Sequence, residues 1–155
     1  MPKIEIATLI DAPIEICFDL ARDAAFHVET ARETGEMIVE GKSSGHFELG
    51  DEVVFEGRHF GVKQRFGAKI TALQRPHYFV DEMTRGAFQS MQHRHEFLDR
   101  PDGKTRMLDI VEWKSPLGIL GKTADFLILK SHLTKFITLR GQRIKERAES
   151  QTSTL

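Results

Sequence analysis

The chain predicts an α+β fold: a curved antiparallel sheet of about six to seven strands wrapped around a long carboxy-terminal helix, with two short helices after the first strand. Three observations predict it. Residues 51–115 divide into alternating apolar/polar segments joined only by short turn-forming stretches, which makes neighbouring strands antiparallel. A strand and an aspartate–proline helix start precede them. After Ser115-Pro116 the period-2 alternation gives way to helical spacing that lasts to about Arg147.

At the amino terminus Ile4, Ile6 and Thr8 alternate with Lys3, Glu5 and Ala7, the pattern of a strand with one face inward. Asp11-Ala12-Pro13 then starts a helix, with aspartate as the N-cap and proline tolerated in the first turn. Ile14, Cys17, Phe18 and Ala21 share one stripe of that helix, so the Cys17 thiol reads as packing rather than as a nucleophile. Asp23 opens a second short helix toward Val28. Residues 36–41 read as a short strand and Ser43-Ser44-Gly45 as a loop.

Five strands follow, over 51–60, 62–73, 77–84, 88–98 and 105–115. Phe60-Gly61, Gln74-Arg75-Pro76, Arg85-Gly86-Ala87 and Pro101-Asp102-Gly103 connect them, all with turn chemistry. From Leu117 the long helix carries Leu120, Ala124, Leu127 and Ile128 on a stripe that Phe126, Leu129, Leu133, Phe136 and Ile137 broaden. Its front half is therefore expected to be buried on a wide face. Its back half carries Lys130, Lys135, Arg140, Arg143, Lys145 and Arg147, which read as a solvated face with cations favourably near a helix C-terminus. Residues 1–148 are predicted to form one domain and 149–155 a frayed polar tail.

Composition excludes several classes of function. Lysine and arginine total 22 against 23 aspartates and glutamates, so no net charge drives binding to a phosphate backbone and a general nucleic-acid role is disfavoured. Cys17 is the only cysteine, which excludes an intrachain disulfide and any zinc site built on several thiolates. No apolar run reaches the ~20 residues needed to span a bilayer, and the amino terminus lacks a basic-plus-apolar leader pattern. The expectation is a cytoplasmic protein without integral membrane association.

Ile-Asp-Ala-Pro-Ile-Glu-Ile-Cys-Phe-Asp-Leu (10–20), Leu-Gly-Asp-Glu-Val-Val-Phe (49–55), Asp-Glu-Met-Thr-Arg-Gly (81–86) and Ser-Pro-Leu-Gly (115–118) give the chain a family resemblance. With the element order, they make it resemble the START/birch-pollen-allergen (SRPBCC) superfamily over essentially its whole length. The closer likeness is to the bacterial polyketide cyclase/dehydrase-like branch. The resemblance implies the helix-grip fold and a hydrophobic cavity between the concave sheet face and the long helix. It implies no metal or cofactor. Superfamily members include lipid carriers, hormone sensors and aromatase/cyclases, so the fold does not select among functions.

Strand parity predicts which residues face that cavity. In 51–60, Val53, Phe55, Gly57 and His59 share a face; in 62–72, Val62, Gln64, Phe66, Ala68, Ile70 and Ala72 oppose Lys63, Arg65 and Lys69. A two-residue turn at Phe60-Gly61 pairs His59 with Val62, Phe55 with Phe66 and Val53 with Ala68, which puts both inward sets on one face. In 91–97, Met91, His93, His95 and Phe97 face inward, while Gln92, Arg94 and Glu96 seek water. Parity is less clean in 77–84 and 105–115. Arg106, Glu112 and Lys114 favour the odd set inward, which turns Phe79, Asp81 and Met83, and Met107, Asp109, Val111 and Trp113, toward the interior. Across the last hairpin, either His95 or His93 faces Asp109, depending on a two-residue choice of register.

The predicted chamber is thus walled by Phe55, Phe66, Phe79, Met83, Met91 and Trp113, with His59, Asp81, His93, His95 and Asp109 as its polar members. Four uses of these groups compete. They orient an amphipathic small molecule whose body fills the apolar chamber. They act as a His–Asp general acid/base, for which the cyclase resemblance implies aldol or dehydration chemistry with His93, His95 and Asp109 as catalytic candidates. His93, His95 and an aspartate hold a metal, although His-x-His is a loose pattern and no metal is predicted. Or the groups merely satisfy one another and fix strand register. The favoured expectation is binding of a hydrophobic or amphipathic molecule without a cofactor. A regulatory interaction module using the basic helix, with Arg140 and Arg143 as contacts, is the remaining alternative. His27, His46, His77 and His132 read as surface or loop residues.

Overall fold

The computed structural model describes residues 1–116, 123 and 125–154. Its strands are β1 (Lys3–Ile10), β2 (Met37–Gly41), β3 (Glu52–His59), β4 (Val62–Gln74), β5 (Tyr78–Arg85), β6 (Ser90–Asp99) and β7 (Thr105–Lys114). They form one antiparallel sheet in the order β1-β7-β6-β5-β4-β3-β2. Between β1 and β2 lie helix α1 (Ile14–Ala21), helix α2 (Ala24–Thr30) and a 3-10 turn, Arg32–Thr34. A π-helical turn, Asp125–Leu129, leads into the long helix α3, Lys130–Ser153. This is the helix-grip architecture.

Local chemistry accounts for the elements. Asp23 caps α2, its carboxylate accepting from the Phe26 backbone N–H at 2.8 Å. Asp11 does not cap α1 as the sequence suggests. That helix begins after Pro13, whose extended backbone takes the cap position without a side-chain bond, and the Asp11 N–H instead donates to Glu149 at 3.0 Å. At the β3–β4 turn Phe60 and Gly61 both adopt left-handed backbone, with φ of 55° and 73°. That is the two-residue hairpin geometry matching strand twist. It pairs His59 with Val62 and Phe55 with Phe66, the register expected from alternation. Gly41 is required where it stands: at φ 86°, a Cβ there would lie 2.2 Å from the Glu52 carbonyl oxygen.

Helix α3 lies along β1 and α1. Ile137, Arg140, Gly141, Ile144 and Ala148 are its buried residues, spaced as one helical stripe. At Gly141 a Cβ would come within 2.9 Å of the Thr8 hydroxyl, so glycine permits the close approach to β1. Ile144 and Ala148 join Phe18, Phe79, Phe97 and Met107 in the main apolar core. Ile4, Val111, Trp113 and Ile137 form a second cluster.

Several expectations for this region need correction. Leu127 and Ile128 are exposed rather than on a buried front face; the buried stripe begins with Ile137, with Leu129, Leu133 and Phe136 only half-buried. The predicted helix start at Leu117 and the stripe positions Leu120 and Ala124 lie outside the described residues, as does the side chain of Phe126. The tail is not frayed from residue 149: the helix runs to Ser153, and Glu149 is held by Asp11 and Lys145. Nor is the basic run a free solvated face. Arg143 binds Glu33 and the Thr30 carbonyl, Lys145 the Leu9 carbonyl and Glu149, and Arg147 Glu29, with its guanidinium over the Phe26 ring. These cations fasten α3 to α2 and β1. Among the described residues no helix is long and apolar enough to cross a membrane.

Candidate functional site

Between the concave sheet face and α3 lies a cavity of about 390 Å³. The sheet supplies Phe55, Phe66, Phe79 and Met91, and α3 supplies Leu133, Phe136, Ile137 and Arg140. Its lining is mostly apolar, with polar groups gathered in few places.

The main polar group is built by adjacent rows of three strands. Across β5–β6 Asp81 faces His93, and across β6–β7 His95 faces Asp109, the second strand pair taking the register that places these two directly opposite. Odd parity holds throughout β7, where Thr105, Met107, Asp109, Val111 and Trp113 are buried; in β5 Phe79 is buried and Asp81 lines the cavity, but Val80 of the even set is buried too. Asp109 is shared. Its Oδ1 lies 2.9 Å from His93 Nε2 and 3.0 Å from His95 Nδ1. The opposite nitrogen of His95, Nε2, lies 3.0 Å from Asp81 Oδ2. The two imidazole centroids are 3.7 Å apart, and His95 stacks on the Phe79 ring at 4.1 Å. So both histidines contact Asp109, rather than one or the other.

Burial and pairing set the protonation of this cluster. Burial opposes the charged form of His95, but hydrogen bonds from its two nitrogens to Asp109 and Asp81 outweigh it and raise the imidazole pKa above its ordinary value. His93 is held below its ordinary value, first by burial and then by the neighbouring His95, against the pull of Asp109. Asp81 and Asp109 would be raised by burial, yet their histidine partners keep both below the usual carboxylate range.

Three further residues that the sequence reading placed elsewhere line the cavity. Arg140 is 7 % exposed and lines the cavity; its Nη2 donates to the Ala21 carbonyl at 2.9 Å, and its buried Nε has no partner among the described residues. It is buried and not a solvated cation. Burial lowers its pKa, with Asp109, Asp81 and Glu36 acting in the opposite sense. His27, expected on the surface, also lines the cavity: it stacks on Phe55 at 4.4 Å and meets Glu36 Oε1 through Nε2 at 3.0 Å. His132, likewise expected outside, lies with its Nε2 2.9 Å from His59 Nδ1. Asp81 faces Ile70 on β4, eight residues beyond Val62, the partner of His59. That is roughly 25 Å of strand, so the His59–His132 pair and the His–Asp cluster occupy different ends.

Of the predicted members, Phe55, His59, Phe66, Phe79, Asp81, Met91, His93 and His95 line the cavity. Asp109 lies behind the two histidines rather than on the surface of the chamber. Trp113 is fully buried but packs in the Ile4–Val111–Ile137 cluster, and Met83 is half-buried near Gly86; neither lines the chamber. Asp81, His93 and His95 each offer a donor atom within 4.8 Å of the others. The same groups can exchange a proton, bind an oxygen-bearing molecule or hold a cation.

Solved structures share this architecture. A START superfamily protein from Mycobacterium smegmatis matches with a TM-score of 0.72 at 11% identity, over 96% of this chain and 98% of its own. A Staphylococcus aureus protein of unknown function matches with a TM-score of 0.73 at 14% identity, over 98% and 96%. The ginseng major latex-like protein 151 from Panax ginseng gives 0.68 at 12% identity, over 95% and 97%. The chain has the START/birch-pollen-allergen-like (SRPBCC) fold. No family model and no curated protein matches its sequence.

Proposed function

We propose that this protein binds a hydrophobic or amphipathic small organic molecule in the cavity between sheet and α3. The observation that carries the reading is the division of one cavity wall. An apolar chamber of about 390 Å³ has the size of small-molecule sites and ends at a concentrated polar cluster. A body of hydrocarbon or aromatic rings fits the phenylalanine-lined part; its polar group meets Asp81, His93 and Arg140, all of which line the chamber. The fold is shared with START and latex-like proteins, which agrees with this reading without selecting a ligand. Near-neutral charge argues against nucleic acid as partner, and the single thiol, Cys17, suits the cytoplasm.

A catalytic reading rests on one specific observation: His95 is held between two carboxylates, with Nδ1 on Asp109 and Nε2 on Asp81. A cyclase/dehydrase-like enzyme would use such a cluster to move protons at a substrate carbonyl, His93 being the imidazole with a nitrogen still unpaired. Native mass spectrometry of protein purified from its own host tests binding, with a co-purifying organic molecule as the expected result. That molecule should raise the melting temperature of stripped protein in proportion to ln(1 + [L]/Kd). Protein that carries no organic molecule and is not stabilised by a panel of amphipathic ones refutes the reading. Turnover abolished by His93→Ala with binding retained would select the enzyme.

A further inference from the structure

We infer that Asp81, His93 and His95 form a binding site for a divalent first-row transition metal, with Asp109 orienting both imidazoles. Two imidazoles and a carboxylate are a sufficient protein ligand set for zinc or ferrous iron, leaving remaining positions open to the cavity. The geometry supplies what the loose His-x-His spacing cannot.

The first element is donor separation. Zinc–nitrogen and zinc–oxygen bonds are about 2.0–2.2 Å, so donors at two corners of a tetrahedral site stand roughly 3.3 Å apart. His95 Nε2 and Asp81 Oδ2 are 3.0 Å apart, close to that edge already. Asp81, His93 and His95 each present a ligand atom within 4.8 Å of the others', so rotation of side chains closes the remaining gap without movement of a strand.

The second is the role of Asp109. Metal-bound histidines give their other ring nitrogen to a carboxylate or carbonyl, which fixes tautomer and ring plane. Asp109 Oδ1 meets His95 at Nδ1, reserving Nε2 for the metal, and meets His93 at Nε2, reserving Nδ1. His93 is 9 % exposed, lines the cavity, and its Nδ1 has no hydrogen-bond partner among the described residues. A buried imidazole with one nitrogen unpaired toward a cavity awaits a donor or a metal.

The third is charge. Three carboxylates act in this wall, Asp81, Asp109 and Glu36, against one permanent cation, Arg140. Once both imidazoles ligate through unprotonated nitrogens, these carboxylates outnumber the guanidinium by two, the charge that a divalent ion supplies. An anionic ligand group placed directly against these carboxylates would deepen the imbalance, whereas on a bound metal it would be balanced. The metal lies beyond the small-molecule reading, which does not require it.

The test is calorimetric titration of Zn²⁺ into chelator-treated, ligand-free protein, with Co²⁺ absorption reporting coordination number. We expect one equivalent bound and a four- or five-coordinate Co²⁺ spectrum. His93→Ala, His95→Ala and the nearly isosteric Asp81→Asn should each weaken binding at least about tenfold, and Asp109→Asn about ten- to a hundredfold while leaving the coordination number unchanged. Asp81→Asn guards against misfolding, since it keeps the shape of the wall; circular dichroism verifies each variant. Failure to bind one equivalent overturns the inference. So does affinity that is unchanged in Asp81→Asn and His95→Ala but lost in His132→Ala, which would locate the metal on the His59–His132 pair, or in His46→Ala, which would make it adventitious. Because the probe is the metal alone, any of these failures leaves the co-purification result standing.

Discussion

Removing the Asp109 carboxylate is the sharpest perturbation of the interior. Asp109 is 4 % exposed and accepts from two imidazoles, at 2.9 and 3.0 Å. In Asp109→Ala the raised-pKa His95 keeps Asp81, and among the described residues His93 loses its one hydrogen-bond partner. Breaking a buried pair by deleting one member costs about 3–5 kcal/mol, because the remaining charge and donor stay out of water. With a urea m-value of about 2 kcal/mol/M, the unfolding midpoint should fall by roughly 1.5–2.5 M at unchanged m. The interaction itself is isolated by a cycle with His93→Ala. Direct contact predicts a coupling of about 1–3 kcal/mol, so the double variant is more stable than the sum of the single losses implies. Asp109→Ala that costs less than about 1 kcal/mol, or losses that add within about 0.5 kcal/mol, would refute the claim that Asp109 holds the histidines in place.

Three other outcomes follow from the packing. Asp19 receives both Arg22 and Arg75, with bonds of 2.7–3.1 Å that join α1 to the β4–β5 turn, so Asp19→Asn should cost about 1–2 kcal/mol in urea unfolding. Burial would raise its pKa, but Arg75 and Arg22 hold it below the ordinary value. The contribution is therefore complete above the ordinary aspartate pKa and disappears as pH falls through the lowered one, and the difference between Asn variant and parent should shrink below about pH 4. The Cys17 thiol is fully buried and pushed by burial to about 11, so at pH 8 a thiol reagent should label folded protein at least about a hundredfold more slowly than protein in urea; equal rates would contradict the packing. Gly141→Val drives a branched side chain against Thr8, where even a Cβ lies 2.9 Å from the hydroxyl, and should cost about 1–3 kcal/mol by thermal unfolding.

How far the interior was legible follows from where its partners lie in the chain. Period-2 alternation fixes which face a strand residue takes, and a two-residue turn fixes its neighbour. The β3–β4 register and the inward direction of His93, His95, Asp81 and Asp109 were therefore readable. The β6–β7 register was readable only as two options, because the Pro101-Asp102-Gly103 turn accommodates either. Arg140 was misread for a different reason. It follows Lys130 and Lys135 on a helix whose cations resemble a solvated face, although it lies on a different side of α3 from Lys135. His27 and His132 sit on helices, outside any strand pattern, and meet Glu36 and His59 through tertiary contacts that no local spacing encodes. For Arg140 one signal was available: Ile137, Arg140, Ile144 and Ala148 repeat at helical spacing, placing the arginine on the buried stripe.

A network whose only task were to fix strand register would be most economical sealed from the cavity, each polar group satisfied by another and covered by hydrocarbon. Asp109 alone follows that rule, lying behind both imidazoles. Asp81, His93 and Arg140 line the chamber, and among the described residues one nitrogen of His93 and the Nε of Arg140 have no hydrogen-bond partner. An unsatisfied buried donor such as the Arg140 Nε–H costs about 1–3 kcal/mol. Replacement of the whole set by apolar side chains of similar volume would remove that cost, as it does for many buried ion pairs. A combined variant with His93, His95, Asp81, Asp109 and Arg140 all apolar should therefore fold and equal or exceed the parent in stability, while losing whatever polar-headed molecule or ion the parent retains. Urea unfolding beside native mass spectrometry distinguishes the two roles. A stable variant that has lost its ligand means the polarity serves binding, whereas an unfolded one means it serves the fold.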